Sequence, residues 1–220
     1  MFKVSNLSAS IGDKSILEDI NIEMAKGEVL LVTGHNGSGK STLLHTIMGR
    51  ADISAQGKIN LHNLELTELE CHDRAQQGVF MFHQTPPTID GVNTMTLFKE
   101  IHKAQKLTSS TGELIKEAKY LFAWASLPAG WEKRAFNQGA SGGERKKNEL
   151  AQAVLLKGNT TLLLLDEPDS GLEQSSRQKI IDLINDTVAN QGYVLLVTHD
   201  KELQERYSNN KLELSNGRRV

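Results

Sequence analysis

The chain holds a single cysteine, Cys71, in 220 residues. No internal disulfide can form, so a reducing, cytoplasmic setting is the expectation. No apolar run approaches the roughly 20 residues that a membrane-spanning helix needs. Met1-Phe2-Lys3-Val4 opens a strand-like stretch rather than a basic head followed by a long apolar segment, so no signal peptide is expected. Net charge is also scarce: −2, with a pI near 6.4. That balance argues against nonspecific binding to nucleic acid or to acidic membrane surfaces. The sequence has no internal repeat and no low-complexity linker. What remains is one soluble domain of ordinary size, 1–220, for which any membrane role requires a partner.

Phe2 to Leu7 and Ile16 to Met24 alternate apolar and polar residues, as half-buried antiparallel strands do. Val29 to Val32 is a short apolar run suited to a strand buried on both faces, and a helix is expected from Lys40 through Met48. Further strands are expected at Gly57 to Leu61 and Val79 to Phe82. From Thr94 to about Leu127 the spacing turns helical: Leu97, Ile101 and Ala104 form one stripe, and Leu114, Ile115, Ala118, Leu121 and Phe122 another. The polar turn Thr108 to Glu113 separates them, and within it Ser110 and Glu113 fit a capping box. A helix from Gly142 to Leu156 follows, then a strand (Leu162 to Leu165), a helix (Glu173 to about Asn190) that Gly192 is placed to end, and a strand (Tyr193 to Val197). This order predicts an α/β fold: a mainly parallel core sheet, an antiparallel β part near the N-terminus, and a helical subdomain inserted at about 84–157.

Gly34-His35-Asn36-Gly37-Ser38-Gly39-Lys40-Ser41-Thr42 matches G-x-x-x-x-G-K-S completely. Glycines let such a loop turn its N–H groups inward on phosphate oxygens, and the helix that follows points its positive end at the same charge. In this arrangement Lys40 reaches the β- and γ-phosphates and Ser41 ligates Mg²⁺, so ATP and Mg²⁺ are the expected ligands. The bland alternative, a chance glycine-rich turn, does not require the strand before it and the helix after it. Leu162 to Leu165 then delivers Asp166 and Glu167 at a strand end, where open α/β sheets bind ligands. Asp166 suits Mg²⁺ contact through water; Glu167 suits polarising the water that attacks the γ-phosphate. Ser141 and Glu144 form a second capping box, ahead of Arg145-Lys146-Lys147-Asn148-Glu149. They merely cap a helix, or they also offer its N-terminus to a γ-phosphate held by another subunit, with Gly142 and Gly143 leaving room; the two readings are compatible. Arg145 to Lys147 reads as a solvated face.

Taken in order, these stretches resemble the ATP-binding cassette (ABC) ATPases over nearly the whole chain. The resemblance implies that Gln84 is the Q-loop glutamine, sensing Mg²⁺ and the partner. It makes Ser170-Gly171-Leu172-Glu173 the D-loop and His199 the switch histidine on the γ-phosphate. It also implies an ATP-dependent head-to-tail homodimer. A finer resemblance is to the SufC family, the soluble ABC ATPases of SUF iron–sulfur cluster assembly. It is carried by Ser141-Gly142-Gly143-Glu144-Arg145-Lys146-Lys147-Asn148-Glu149, by Asp166-Glu167-Pro168-Asp169-Ser170-Gly171-Leu172, by Phe82-His83-Gln84-Thr85-Pro86 through Val92, and by Ile11, where transporter subunits usually stack an aromatic ring on adenine. It implies SufB/SufD-like scaffold partners.

Three features depart from that pattern. Glu173 stands where the family has Asp, Pro86-Pro87 replaces a single proline, and the chain ends at Arg218-Arg219-Val220, short of the usual extension. A membrane permease as partner, in a transporter, therefore stays open. So does an ATP-gated binding module with little turnover, suggested by Glu173. Cys71, with scattered His62, His72 and His83, lacks the ligand spacing of a cluster site. Trp124 is expected in the core of the helical insert, and Trp131 either there or at a partner contact.

Overall fold

The computed structural model describes every residue except Leu107 and Ser109, so part of the turn expected at Thr108 to Glu113 lies outside it. The described residues fall into two compact units.

The first unit comprises Met1–Met81, Thr160–Glu167 and Ile184–Val220. Strands β1 (Phe2–Ile11), β2 (Lys14–Met24), β3 (Val29–Gly34), β4 (Ser54–Leu61) and β5 (Leu64–Glu65) lie in its first part, with helices α1 (Lys40–Met48) and α2 (Cys71–Gln76). Strand β6 is Val79–Phe82; later come β7 (Leu162–Asp166), β8 (Tyr193–Val197), β9 (Lys211–Ser215) and β10 (Arg218–Arg219). The antiparallel sheet runs β2-β1-β4-β5, and a six-stranded sheet runs β10-β9-β3-β8-β7-β6. In β1 the buried residues are Phe2, Val4, Leu7 and Ala9, so the alternation slips by one between Val4 and Leu7. A register shift in the β1–β2 ladder explains the slip: Asn6 and Asp19 both take φ near +50° and bond side chain to side chain at 2.9 Å.

Strands β7 and β8 are buried at every residue, as parallel strands covered on both faces should be. Their register pairs Leu162 with Tyr193 and Asp166 with Val197; on the other side of β8, Val32 of β3 also pairs with Val197. Three parallel strands thus end level. That alignment brings the phosphate loop after β3, Glu167 after β7 and His199 after β8 to the same edge of the sheet. Below this edge, Leu43, Leu44 and Ile47 of α1 join Leu164, Leu195, Val197 and the inner faces of β1 and β2 in one apolar cluster.

The second unit comprises Phe82–Asn159 and Pro168–Leu183. It contains α3 (Thr94–Ala104), α4 (Thr111–Trp124), a 3₁₀ turn at Trp131–Lys133, α5 (Gly142–Leu156) and the start of α6 (Gln174–Ala189). A last helix, α7 (Lys201–Arg206), belongs to the first unit. The capping box of α4 forms as expected, with Ser110 Oγ accepting from the Glu113 N–H. The inward face of α3 differs from the expected stripe. Thr94, Phe98 and His102 are buried, Leu97 and Ile101 are half-buried, and Ala104 is exposed. Phe98 decides the rotation by meeting Phe122 edge-on at 4.8 Å, a contact that a stripe of small aliphatic residues cannot offer. Of its two alternatives, Trp131 takes the core, under the Arg134 guanidinium, whereas Trp124, expected in the core, is half-buried against it beneath Lys179. At the end of α6 the left-handed residue is Gln191 (φ +62°) rather than Gly192. Gly192 is required by crowding instead: a Cβ there would lie 2.7 Å from the Thr187 methyl.

Candidate nucleotide site

The phosphate loop owes its shape to three left-handed glycines, Gly34 (φ +144°), Gly37 (φ +80°) and Gly39 (φ +106°). A Cβ on Gly34 would lie 2.2 Å from the Leu214 carbonyl oxygen, so no side chain fits there. His35, Asn36 and Gly37 form the exposed lip of the loop, Ser38, Gly39 and Lys40 its buried floor, and Ser41 and Thr42 are half-buried on α1. Lys40 Nζ donates to the carbonyls of Gly34 (2.9 Å) and His35 (3.0 Å), which holds the ammonium across the loop. Helix α1 has no side-chain cap at its N-terminus, and Ser38 Oγ is buried with no hydrogen-bond partner among the described residues. A helix start whose N–H groups lack a side-chain acceptor, beside an orphan hydroxyl and a lysine, is built to take an anion.

Ser41 Oγ donates to Asp166 Oδ1 at 3.1 Å. A hydroxyl and a buried carboxylate meeting at the foot of that loop form a hard-oxygen pair of the kind Mg²⁺ prefers, so the residues present fit the ion. Glu167 stands one residue beyond, in the left-handed conformation (φ +47°), with its N–H bonded to the Val197 carbonyl. That strained turn carries its carboxylate to within 3.4 Å of His199 Nε2.

In the second unit, Gln84 is exposed, two residues past the end of β6. Helix α5 starts at the expected capping box: Ser141 Oγ accepts from the Glu144 N–H, and Glu144 Oε2 accepts from the Ser141 N–H at 2.8 Å. These bonds hold the Glu144 carboxyl below its ordinary value. A Cβ on Gly143 would come 3.2 Å from the Gly171 carbonyl, so the glycine lets the D-loop approach this helix. The unusual Glu173 uses its extra length to reach Lys147 Nζ at 3.4 Å.

Glu149 lies in a stretch that carries the resemblance, but the sequence alone assigned it no role of its own. Glu149, buried on α5, accepts from the backbone N–H of His83 (3.0 Å), and its other oxygen lies 2.6 Å from His83 Nδ1. Burial pushes this carboxyl up, while the His83 bonds and Lys146 pull it down. The available signal was the run of polar residues through α5: Lys146, Asn148, Glu149 and Gln152 are all buried, too many for a solvated face. Lys146 thereby corrects the reading of Arg145 to Lys147 as solvated. Cys71 is exposed, and no group of three or more metal-ligating His, Cys, Asp or Glu occurs among the described residues.

Residues 17–170 match the family described as ABC transporter. The chain belongs to that family. It is an ATPase that binds ATP with Mg²⁺ and hydrolyses it. Among curated proteins it is 34% identical over 209 residues to the probable ATP-dependent transporter ycf16 of Antithamnion sp., covering 92% of this chain and 82% of that one. The probable ATP-dependent transporter slr0075 of Synechocystis is likewise 34% identical, over 92% of this chain and 81% of that one. A probable ABC transporter ATP-binding protein of Streptococcus pyogenes is 31% identical, over 92% and 80%. Among solved structures, an ATP-binding subunit of an ABC transporter matches with TM-score 0.83 at 25% identity, over all of this chain and 88% of that one. The dimeric, post-hydrolysis cassette MJ0796, bound to ADP and phosphate, matches in fold with TM-score 0.82 at 22% identity, over all of this chain and 96% of that one. No helix among the described residues is long and apolar enough to cross a membrane.

Proposed function

We propose that this ABC ATPase works as a head-to-tail homodimer that drives conformational change in a soluble, SufB/SufD-like scaffold for iron–sulfur cluster assembly. Each of its active sites takes Lys40, Ser41, Gln84, Asp166, Glu167 and His199 from one copy, and Ser141, Gly142 and Gly143 from the other. The loop Gly34 to Thr42 binds the phosphates through its N–H groups, and Lys40 exchanges its two carbonyl partners for phosphate oxygens. Ser41, Asp166 and Gln84 would hold Mg²⁺, which would supply neutralising charge to the bound phosphates. Glu167 orients the attacking water and accepts its proton; His199, beside it, donates to the γ-phosphate. The partner copy's α5 closes over the γ-phosphate with its N-terminal N–H groups. Closure on ATP and reopening after hydrolysis move whatever is docked on the helical subdomain, about 84–157.

The observation that carries the cluster-assembly reading is the wording of α5 and the D-loop: Ser141 to Glu149, and Asp169 before Ser170-Gly171-Leu172. A permease partner is the second reading, favoured by the names of the curated relatives, which are transporters or their ATP-binding proteins. Affinity purification from soluble and membrane fractions of the native cell decides between them. Recovery of soluble scaffold proteins carrying iron and sulfide supports cluster assembly; a polytopic membrane protein co-purifying instead overturns it.

A further inference from the structure

Asn148 and Glu149 are consecutive residues of α5, both buried, and each grips one end of the segment His83–Pro87. At the near end, Glu149 accepts from the His83 N–H and pairs with its imidazole. At the far end, Asn148 Nδ2 donates to Asn137 Oδ1 (2.9 Å), and Asn137 Nδ2 donates to the Pro87 carbonyl (2.7 Å). Asn137 is itself buried and held at φ +58°. Between the two grips lies Gln84.

A carboxylate and two amides buried in a small helical unit are costly, the more so because Asn148 Oδ1 finds no partner among the described residues, and leucines there would pack without that cost. What the polar groups provide is direction: hydrogen bonds allow one placement of the segment where apolar contacts allow several. The same helix is capped by Ser141, about two turns earlier.

We propose that Asn148 and Glu149 are positioning residues for Gln84, fixing its segment to α5 so that Gln84 and the Ser141–Gly143 end of the helix are carried as one body. This rests on the roles proposed above for Gln84 and for Ser141 to Gly143. Engagement of Gln84 in one site then places the helix start that the same copy presents to its partner's ATP.

Steady-state Mg-ATPase of Gln84→Ala, Glu149→Ala, Glu149→Gln and the Gln84→Ala/Glu149→Ala double variant tests it. Misplacing Gln84 should lower kcat about 10-fold in Glu149→Ala while the KM for ATP stays within about twofold, because the phosphate loop is untouched. Glu149→Gln should keep near-normal kcat, since its amide accepts from the His83 N–H and donates to Nδ1. The double variant should be no slower than Gln84→Ala alone. If Glu149→Ala does not fold, His83→Ala replaces it: this side chain is 38% exposed, and its expected loss is about threefold, again absent in the Gln84→Ala background. Equal losses in both backgrounds, or no loss at all, overturn the positioning role while leaving Gln84 in place. A Gln84→Ala protein with unchanged kcat overturns the role of Gln84, and the positioning role with it.

Discussion

His199 Nε2 lies 3.4 Å from Glu167 Oε1, each residue following the end of its own buried strand. The pair exists because Asp166 and Val197 are in register, and because Glu167 accepts a left-handed backbone. Glu167→Gln keeps the shape and removes the proposed base, so hydrolysis should fall about 100-fold or more while ATP binding persists. His199→Ala should also slow hydrolysis, by at least about 10-fold, and spare binding. Single-turnover hydrolysis beside equilibrium binding of labelled ATP separates the two effects.

In the proposed site Lys40 exchanges its two carbonyl partners for phosphate oxygens. Lys40→Ala should weaken ATP binding by about 2 kcal/mol, roughly 30-fold, as loss of a charged hydrogen-bonding partner does. Isothermal titration with ATP and Mg²⁺ reads this directly. Unchanged affinity would remove Lys40 from the site.

Gly34→Ala drives a methyl group into the Leu214 carbonyl and forces a side chain to φ +144°. Destabilisation of about 3 kcal/mol is expected. Denaturant unfolding checks it, with Gly37→Ala as the comparison, where the added Cβ meets nothing within 4 Å.

The Ser141–Glu144 cap is proton-linked. Its bonds depress the Glu144 carboxyl below the ordinary 4.5, so the unfolded chain takes up the proton first as pH falls. Stability from the cap is therefore fully present above about pH 4.5 and lost as pH drops through the folded-state value. Ser141→Ala should cost about 1 kcal/mol at pH 7, and Glu144→Gln should lose its difference from wild type in acid. Melting temperatures across about pH 3 to 7 provide the check.

Glu173→Asp separates turnover from gating. Glu173 is exposed and its ion pair with Lys147 is of the weak, solvent-screened kind. Restoring the aspartate should leave kcat within about twofold. A tenfold rise would instead support a protein that binds ATP to gate a partner and turns it over little.

Much of this was legible in the sequence because it is written in local chemistry. The glycine loop, both capping boxes, α5 and the buried run of β8 follow from neighbours within a few residues. The α3 face was not legible, since Phe98 chooses its side by meeting Phe122 from another helix. Nor was the Gln191 cap, where a glycine next door offered the easier conformation and was needed for space instead. The grip of Asn148 and Glu149 on His83–Pro87 joins residues 66 apart, and no periodicity reports such a bond.

The most direct test of the shared nucleotide site is sedimentation of Glu167→Gln, expected to bind ATP without consuming it, against protein carrying Gly143→Trp in addition. The expected result is that ATP and Mg²⁺ convert the 24.3 kDa chain to a species of twice that mass, and that the bulky residue at the start of α5 abolishes this while leaving ATP bound. A chain that holds ATP and stays at 24.3 kDa, or a dimer indifferent to Gly143→Trp, would contradict a site completed by the second copy.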